Sequence, residues 1–193
     1  KELLTEKFLP IHIVHREEQI NQLGRIVAPS IRGDKISNTF VFGKTGTGKT
    51  LSVRHVATEL EKETDKVKVI YINCKMKRVS DTEYRLIAEL CRGLGEEVPA
   101  TGLPTDQIYN IFFKAIEARG KYIIIILDEI DNIIRKIGDD ILYSLLRMNQ
   151  DLQNSHLAMI GISNDTSFKE GLDPRVKSSL SEEELIFPPY NAS

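Results

Sequence analysis

The stretch Gly43–Thr50 reads Gly-Lys-Thr-Gly-Thr-Gly-Lys-Thr and matches the GxxxxGK[ST] pattern of a phosphate-binding loop. It follows a short apolar run, Thr39–Phe42, and precedes a helical pattern that begins at Leu51. In this strand, loop and helix context, backbone N–H groups and the positive end of a helix surround a polyphosphate. The segment therefore predicts a nucleoside triphosphate site, with Lys49 on the β- and γ-phosphates and the Thr50 hydroxyl on Mg²⁺. The predicted contacts come from Gly43, Lys44, Thr45, Gly46, Thr47, Gly48, Lys49, Thr50 and Leu51.

A second apolar run ends in carboxylates. Tyr122–Leu127 is continuous and mostly β-branched, which is typical of a central parallel strand buried on both faces. At the carboxyl end of such a strand, we expect Asp128 to hold Mg²⁺ through water. The next residue, Glu129, is expected to act as a general base toward an attacking water. Asp131 is predicted to cap a helix over Asn132–Ile137.

Two further residues are catalytic candidates. A third apolar strand, Leu157–Ile162, ends beside Asn164, whose amide could bind the attacking water or the γ-phosphate. The alternative for Asn164 is an ordinary turn. Arg175 precedes the last predicted strand, where an arginine can reach a neighbouring subunit's nucleotide as an arginine finger, with Lys177 as a second basic contact. The alternative for Arg175 is a solvated surface charge.

Strand and helix patterns alternate along the chain, which favours an α/β fold of three layers. The expected architecture is a P-loop NTPase with a central five-stranded parallel sheet. With 193 residues, 41% of them hydrophobic, the chain can bury one sizeable core, so we expect one domain over residues 1–193. Strands are predicted at Asn38–Phe42, Val67–Asn73, Lys121–Leu127, Leu157–Ile162 and Glu184–Phe187. Helices are predicted at Glu17–Pro29, Thr50–Glu63, Asp81–Arg92, Thr105–Arg119 and Asp139–Leu152.

Composition restricts the partners. The formal net charge is −2 and the pI is near 6.1, so any contact with DNA must be local rather than a bulk electrostatic attraction. The densest basic cluster, Lys75-Met76-Lys77-Arg78, is either a solvated loop or a phosphate-backbone contact. Cys74 and Cys91 lack metal-site spacing and are interpreted as reduced thiols of a cytoplasmic protein. No apolar run is long enough to cross a membrane and none resembles a signal peptide, so no membrane partner is expected.

Taken in order, the phosphate loop, Asp128-Glu129, Asn164 and Arg175 resemble an AAA+ ATPase core. Two further stretches are similar to boxes of the archaeal origin-recognition and replication-initiator family. They are Leu9-Pro10 with Ile13–Glu17, and Arg175–Leu180 with Ile186–Tyr190. That family is related to the eukaryotic origin-recognition complex and to the licensing factor that loads the replicative helicase. The resemblance covers nearly the whole chain.

The resemblance implies roles for residues outside the phosphate loop. Ile13, Val14, His15 and Arg16 would lie around the adenine of ATP or ADP. The family also inserts an extra helix that touches DNA, and Gly93–Asp106 is its best match here, although the Gly and Pro content also fits a connecting loop. The resemblance further implies that this chain is the AAA+ base subdomain alone, without the family's helical lid and winged-helix DNA-binding domain.

The function implied is an ATP-binding and ATP-hydrolysing DNA-replication initiator, a slow Mg²⁺-dependent ATPase that recognises origins and helps load the replicative helicase. ATP and ADP would act as its switch. Its partners would be duplex origin DNA, bound mainly through the winged-helix domain, the replicative helicase and other initiator subunits, at the nucleoid in the cytoplasm. One alternative is a loader or remodelling ATPase that acts on a protein partner. A nucleotide-bound module that hydrolyses nothing is another.

Overall fold

The computed structural model describes residues 13, 15–76, 79 and 81–190. Five parallel strands form one sheet, as predicted, in the order β2-β3-β4-β1-β5. The strands are β1 (Thr39–Gly43), β2 (Val67–Asn73), β3 (Tyr122–Asp128), β4 (His156–Ser163) and β5 (Glu183–Phe187). The helices of the described residues include α1 (Glu17–Val27), α2 (Lys49–Glu63), α3 (Glu83–Gly93), α4 (Thr105–Glu117), α5 (Asp131–Ile137), α6 (Asp140–Met148) and α7 (Pro174–Leu180).

The predicted three layers are confirmed by two separate cores, one on each face of the sheet. On one face α1 and α2 pack against the strands through Ile20, Leu23, Val53, Val56 and Leu60. On the other face α3 to α7 supply Leu86, Leu90, Ile108, Phe112, Ile133, Ile141, Leu145, Val176 and Leu180. Both faces of the sheet are therefore covered by helices, as expected for a parallel sheet.

Strand β3 is the centre of both cores. Ile123, Ile125 and Leu127 point into the core beneath α3 to α7, while Ile124 and Ile126 point toward α1 and α2. All five side chains are buried. Burying each such side chain stabilises the fold by about 1.5–3 kcal/mol relative to leaving it exposed. The continuous apolar run is thus explained by burial on both faces.

The order of the strands brings distant parts of the sequence to one edge of the sheet. Strand β4 lies between β1 and β3, with Phe42 paired to Ser163 and Asp128 paired to Ile162. Because all the strands are parallel, their carboxyl ends meet at the same edge. The phosphate loop after β1, the carboxylates after β3 and the turn after β4 are therefore neighbours.

At position 43, the last residue of β1, the sheet requires glycine as well as the loop motif. Gly43 pairs with Phe187 of β5. A Cβ atom added at Gly43 would lie 2.3 Å from the backbone carbonyl oxygen of Phe187. Only glycine therefore allows β1 and β5 to pair at this close approach.

Several helix ends differ from the prediction, and the largest difference is at α6, which ends at Met148 rather than at Leu152. The first helix ends at Val27 rather than Pro29 and continues as a 3₁₀ turn, Ala28–Arg32, because Pro29 supplies no backbone N–H to the α-helical pattern. Helix α7 was not predicted, although Asp173 caps it by accepting from the N–H of Arg175 and Pro174 occupies its first turn. Both are recognised signals of a helix start.

The extra helix matched to Gly93–Asp106 is not found at that position. Gly93 ends α3, residues 94–104 are non-helical, and Thr105 begins α4. The segment is instead the connecting loop that its Gly and Pro content also indicated, held to α3 where the Tyr84 hydroxyl donates to the Pro99 carbonyl at 2.9 Å. Among the residues that the structure describes between β2 and β3, α3 and α4 flank this loop.

In the described part of the chain, no helix is both long enough and hydrophobic enough to cross a membrane.

Candidate nucleotide-binding site

The phosphate loop connects β1 to α2. Gly46 and Gly48 adopt positive φ angles of 80° and 84°, a conformation that side chains with a Cβ rarely adopt. The side chain of Thr47 folds inward, with its hydroxyl donating to the Lys44 carbonyl at 2.8 Å. Helix α2 begins at Lys49, so the free N–H groups of its first turn face the space in front of the loop.

Lys49 lies along the inside of the loop and is only 5% exposed. Its Nζ donates to the carbonyl oxygens of Gly43 and Lys44, each at 2.8 Å. The pKa of Lys49 is lowered, first by burial and also by the Arg16 charge, while the Asp128 and Glu129 carboxylates act in the opposite direction. The ammonium group is therefore held on the loop backbone and lines the same cavity as Asp128 and Glu129, where it would attract an anionic phosphate.

Asp128 is buried at the tip of β3 and accepts two hydrogen bonds on one oxygen. Thr50 Oγ1 and the Tyr71 hydroxyl both donate to Asp128 Oδ2, each at 2.7 Å. Burial, followed by the hydrogen bond to Asp128, raises the pKa of Tyr71, which keeps the phenol a proton donor. The second oxygen, Oδ1, and the lone pairs of Thr50 Oγ1 are thus available to a cation.

Glu129 has two unusual features. Its φ angle is 54°, a positive value that is uncommon for a residue other than glycine. Its Oε2 is buried and has no hydrogen-bond partner among the residues that the structure describes. Strained backbone and an unsatisfied buried acceptor are both costly, and such costs are concentrated at functional sites.

Asn164 is exposed at the tip of β4, and the residues around it are tightly fixed. Ser163 Oγ donates to Asp131 Oδ1 at 2.7 Å, and Arg135 pairs with Asp131 at 3.2 Å and with Asp165 at 2.8 Å. The prediction that Asp131 caps α5 is wrong. Asp131 is the first helical residue, and its carboxylate instead connects α5 to the turn that carries Asn164.

These groups surround a cavity of about 400 Å³ at the edge of the sheet. Its lining comprises Thr45, Gly46, Gly48, Lys49, Thr50, Leu51, Tyr71, Asn73, Asp128, Glu129 and Asn164. Leu51 is 58% exposed, so an apolar surface adjoins the polar groups. No group of three or more His, Cys, Asp or Glu side chains that could hold a metal is found among the described residues. One carboxylate and one hydroxyl fit Mg²⁺, which keeps several waters and shares its ligands with substrate phosphates.

A second cavity, of about 420 Å³, lies between the start of α1 and the segment after β5, with His15, Arg16, Pro188 and Tyr190 in its lining. Arg16 is buried there. Its Nε donates to the Thr47 carbonyl at 2.8 Å and its Nη2 to the Pro188 carbonyl at 2.6 Å. Its guanidinium stacks 4.1 Å from the centre of the Tyr190 ring. Arg16 therefore joins the phosphate loop to the segment that follows the sheet.

The other residues expected around adenine are placed less directly. His15 is exposed, has a φ angle of 63° and lines the second cavity. Ile13 is buried in the core of the α1 and α2 face. Val14 lies outside the described residues, as do Lys77 and Arg78 of the basic cluster.

Arg175 is not in the lining of the cavity at the phosphate loop. It sits in the first turn of α7, exposed, with its Nη2 2.9 Å from Asp173 Oδ2 and its guanidinium 4.4 Å from the Tyr143 ring centre. The hydrogen bond to Asp173 raises the pKa of Arg175 further. Its side chain is thus held on the surface of α7, and Lys177 is also exposed on that helix.

Sequence reasoning missed Tyr71, which touches the Asp128 carboxylate, and Ser163 beside the Asn164 turn. The register pairs Asn73 with Asp128, which places the end of β2 next to the end of β3. The only sequence signal was a polar residue and a tyrosine at the end of a strand, which becomes informative once the neighbouring strand is known.

A parallel sheet with a glycine-rich loop from β1 to α2 and carboxylates at the tip of β3 defines the class of the protein, a P-loop NTPase. The chain belongs to the family described as AAA domain, whose model matches residues 34–164, more than half of its length. It is 54% identical over 196 residues to ORC1-type DNA replication protein 1 of Methanosarcina acetivorans, and 49% identical over 201 residues to the ORC1-type DNA replication protein of Thermococcus onnurineus. Both alignments cover all of this chain, and 46% and 48% of the two relatives.

The comparison of structures agrees with that of the sequences. The Aeropyrum pernix ORC1 protein, solved in complex with DNA, superposes with a TM-score of 0.81 at 37% identity, covering 97% of this chain and 50% of that one. The resemblance to archaeal initiators is thereby confirmed. The chain spans about half the length of the relatives it matches.

Proposed function

We propose that this protein binds ATP with Mg²⁺ and hydrolyses it slowly, as the nucleotide switch of a DNA-replication initiator that recognises origins and helps load the replicative helicase. One observation carries the proposal. The phosphate-loop lysine, the bonded pair of Thr50 and Asp128, and the unsatisfied carboxylate of Glu129 surround the same cavity. Family membership and the ORC1-type relatives support the initiator role.

Each group at the cavity has a defined task in this proposal. The loop N–H groups and Lys49 bind the phosphates, and Thr50 with Asp128 holds the cation. When bound, Mg²⁺ neutralises the charge on the phosphate oxygens. Glu129 takes a proton from the attacking water, since its Oε2 lacks another partner, and Asn164 orients that water.

To act as a switch, the bound nucleotide must change the conformation of surfaces outside the cavity. Arg16 hydrogen-bonds the phosphate loop and the Pro188 carbonyl, so we propose that it transmits the state of the loop to the segment after β5. Arg175 is not in the lining of the nucleotide cavity of its own chain. We propose that it completes the site of a neighbouring initiator subunit. The exposed guanidinium and its planar geometry suit contact with a phosphate.

DNA is the proposed macromolecular partner, because the A. pernix relative was solved in complex with it. The loop between α3 and α4 stays a candidate contact. Residues 94–104 include Glu96 and Glu97 but no lysine or arginine, so that loop would have to meet a groove through its backbone and Thr101 rather than through charge. As an initiator bound to chromosomal DNA, the protein is proposed to reside at the nucleoid in the cytoplasm.

Binding to duplex DNA tests the initiator role. We expect the full-length protein, including the winged-helix domain that the resemblance implies, to prefer an origin-region duplex over a scrambled duplex in the presence of ATP and Mg²⁺. Fluorescence anisotropy across a series of salt concentrations measures the preference. Preference that persists as salt rises indicates recognition beyond phosphate contacts. Weak, equal binding that disappears with salt would contradict the initiator role and favour an ATPase that remodels a protein partner.

A further inference from the structure

Tyr71 is half-buried on β2 and belongs to none of the recognised nucleotide motifs in the sequence. Its ring packs beside the core of the α1 and α2 face, and the Arg54 guanidinium lies 4.8 Å from the ring centre. Its hydroxyl reaches the tip of the next strand, β3, and donates to Asp128 Oδ2 at 2.7 Å. The residue thus connects two strands at the point where the candidate cation site lies.

The hydroxyl of Tyr71 is one member of a directional chain of hydrogen bonds. Asn73 Oδ1 accepts from the backbone N–H of Lys75 at 2.9 Å, which leaves the Asn73 amide to donate to the Tyr71 oxygen. Tyr71 in turn donates to Asp128, which also accepts from Thr50. Asn73, Tyr71, Asp128 and Thr50 all line the cavity at the phosphate loop. Each hydroxyl therefore has its proton directed toward the same carboxylate oxygen.

Two donors on one oxygen restrict the carboxylate strongly. A carboxylate held by a single hydroxyl can rotate about its Cβ–Cγ bond, whereas donors from Thr50 on α2 and Tyr71 on β2 approach it from two separate elements. With Oδ2 occupied, Oδ1 stays free to accept from water or to face a cation. Groups that hold a metal-binding side chain in this way contribute substantially to metal affinity.

We propose that Tyr71 is a positioning residue for the divalent cation, which it serves by fixing the orientation of the Asp128 carboxylate. This inference rests on the proposed function, because it concerns the Mg²⁺ of the same nucleotide site. Tyr71 touches neither nucleotide nor reacting atoms in this role; it acts through Asp128.

The test is the Mg²⁺ dependence of ATP binding in Tyr71→Phe, a change that keeps the ring and its contact with Arg54. Calorimetric titration with ATP at a series of Mg²⁺ concentrations should show the half-saturating Mg²⁺ concentration rising about 10-fold. Affinity for ATP measured in EDTA should equal that of the wild type, because the phosphate loop is unchanged.

Tyr122→Phe is the matched control. Tyr122 lies at the opposite end of β3, where its hydroxyl accepts from the Ile36 N–H at 2.9 Å, so it tests a purely structural tyrosine. Both variants are expected to unfold at a lower temperature, but only Tyr71→Phe should change the Mg²⁺ requirement. A wild-type Mg²⁺ requirement in Tyr71→Phe, or an equal loss of affinity in EDTA and in Mg²⁺, would overturn the inference while leaving the proposed function standing. No ATP binding by the wild type would overturn both.

Discussion

Replacing Lys49 with alanine is expected to weaken ATP binding by at least about 100-fold, because a hydrogen bond to a charged partner contributes about 1.5–3 kcal/mol and Lys49 can make more than one to the phosphates. The fold should survive. Among the described residues, Lys49 bonds only to the carbonyl oxygens of its own loop and to Thr47. It lies beside an open cavity, from which water can replace it. Calorimetric titration of the variant with ATP and Mg²⁺ measures the loss.

Lys62→Ala is the matched control for that experiment. Lys62 lies on the same helix, α2, near its far end, and its exposed ammonium pairs with Glu59 at 2.7 Å. Removing this surface pair changes the same formal charge but is expected to leave ATP affinity unaltered and stability nearly so. Wild-type ATP affinity in Lys49→Ala would contradict binding of the phosphates by Lys49. Equal losses of ATP affinity in both variants would mean that the effect comes from the change in net charge.

Replacing Glu129 with glutamine is expected to leave ATP binding intact and to slow hydrolysis by about 100-fold or more, the usual contribution of a general base. The amide has nearly the same size as the carboxylate but cannot accept the proton of water. The contribution of the Glu129 carboxylate to ATP binding should be small, because the phosphate loop holds the phosphates. Single-turnover conversion of ATP to ADP over long incubations measures the chemical step.

Glu170→Gln provides the comparison for the loss of one carboxylate. Glu170 is exposed in the short 3₁₀ turn after β4. The Glu170→Gln variant is therefore expected to hydrolyse ATP at the wild-type rate. If Glu129→Gln also turns over at the wild-type rate, another group must be the base. If it fails to bind ATP, Glu129 instead supports the site structurally, and the positive φ angle and unsatisfied oxygen require a different explanation.

Local pattern was enough to predict the central strands. The run over Tyr122–Leu127 is apolar because both faces of β3 are buried, so the sequence reports the layers of the fold directly. The phosphate loop could also be predicted from local sequence, since Gly43, Gly46 and Gly48 meet steric and conformational demands that other residues cannot meet. The order of the strands could not be predicted in this way, because periodicity describes a strand's faces and not its neighbours.

That missing information explains the errors at the site. Asp131 was interpreted as a helix cap because its partner, Ser163, is distant in sequence and adjoins it only when β4 lies beside β3. The role of Tyr71 cannot be predicted from local sequence for the same reason, since its contact with Asp128 depends on the pairing of β2 with β3. Contacts across strands decide how the catalytic candidates are supported, and local sequence does not encode them.

The most direct test of the account is a calorimetric titration of the wild-type chain with ATP, in Mg²⁺ and again in EDTA. We predict saturable binding of one ATP per chain, displaced by ADP and weakened when Mg²⁺ is removed. A folded chain that shows no saturable binding of ATP or ADP would contradict the central claim that this edge of the sheet is a nucleotide site.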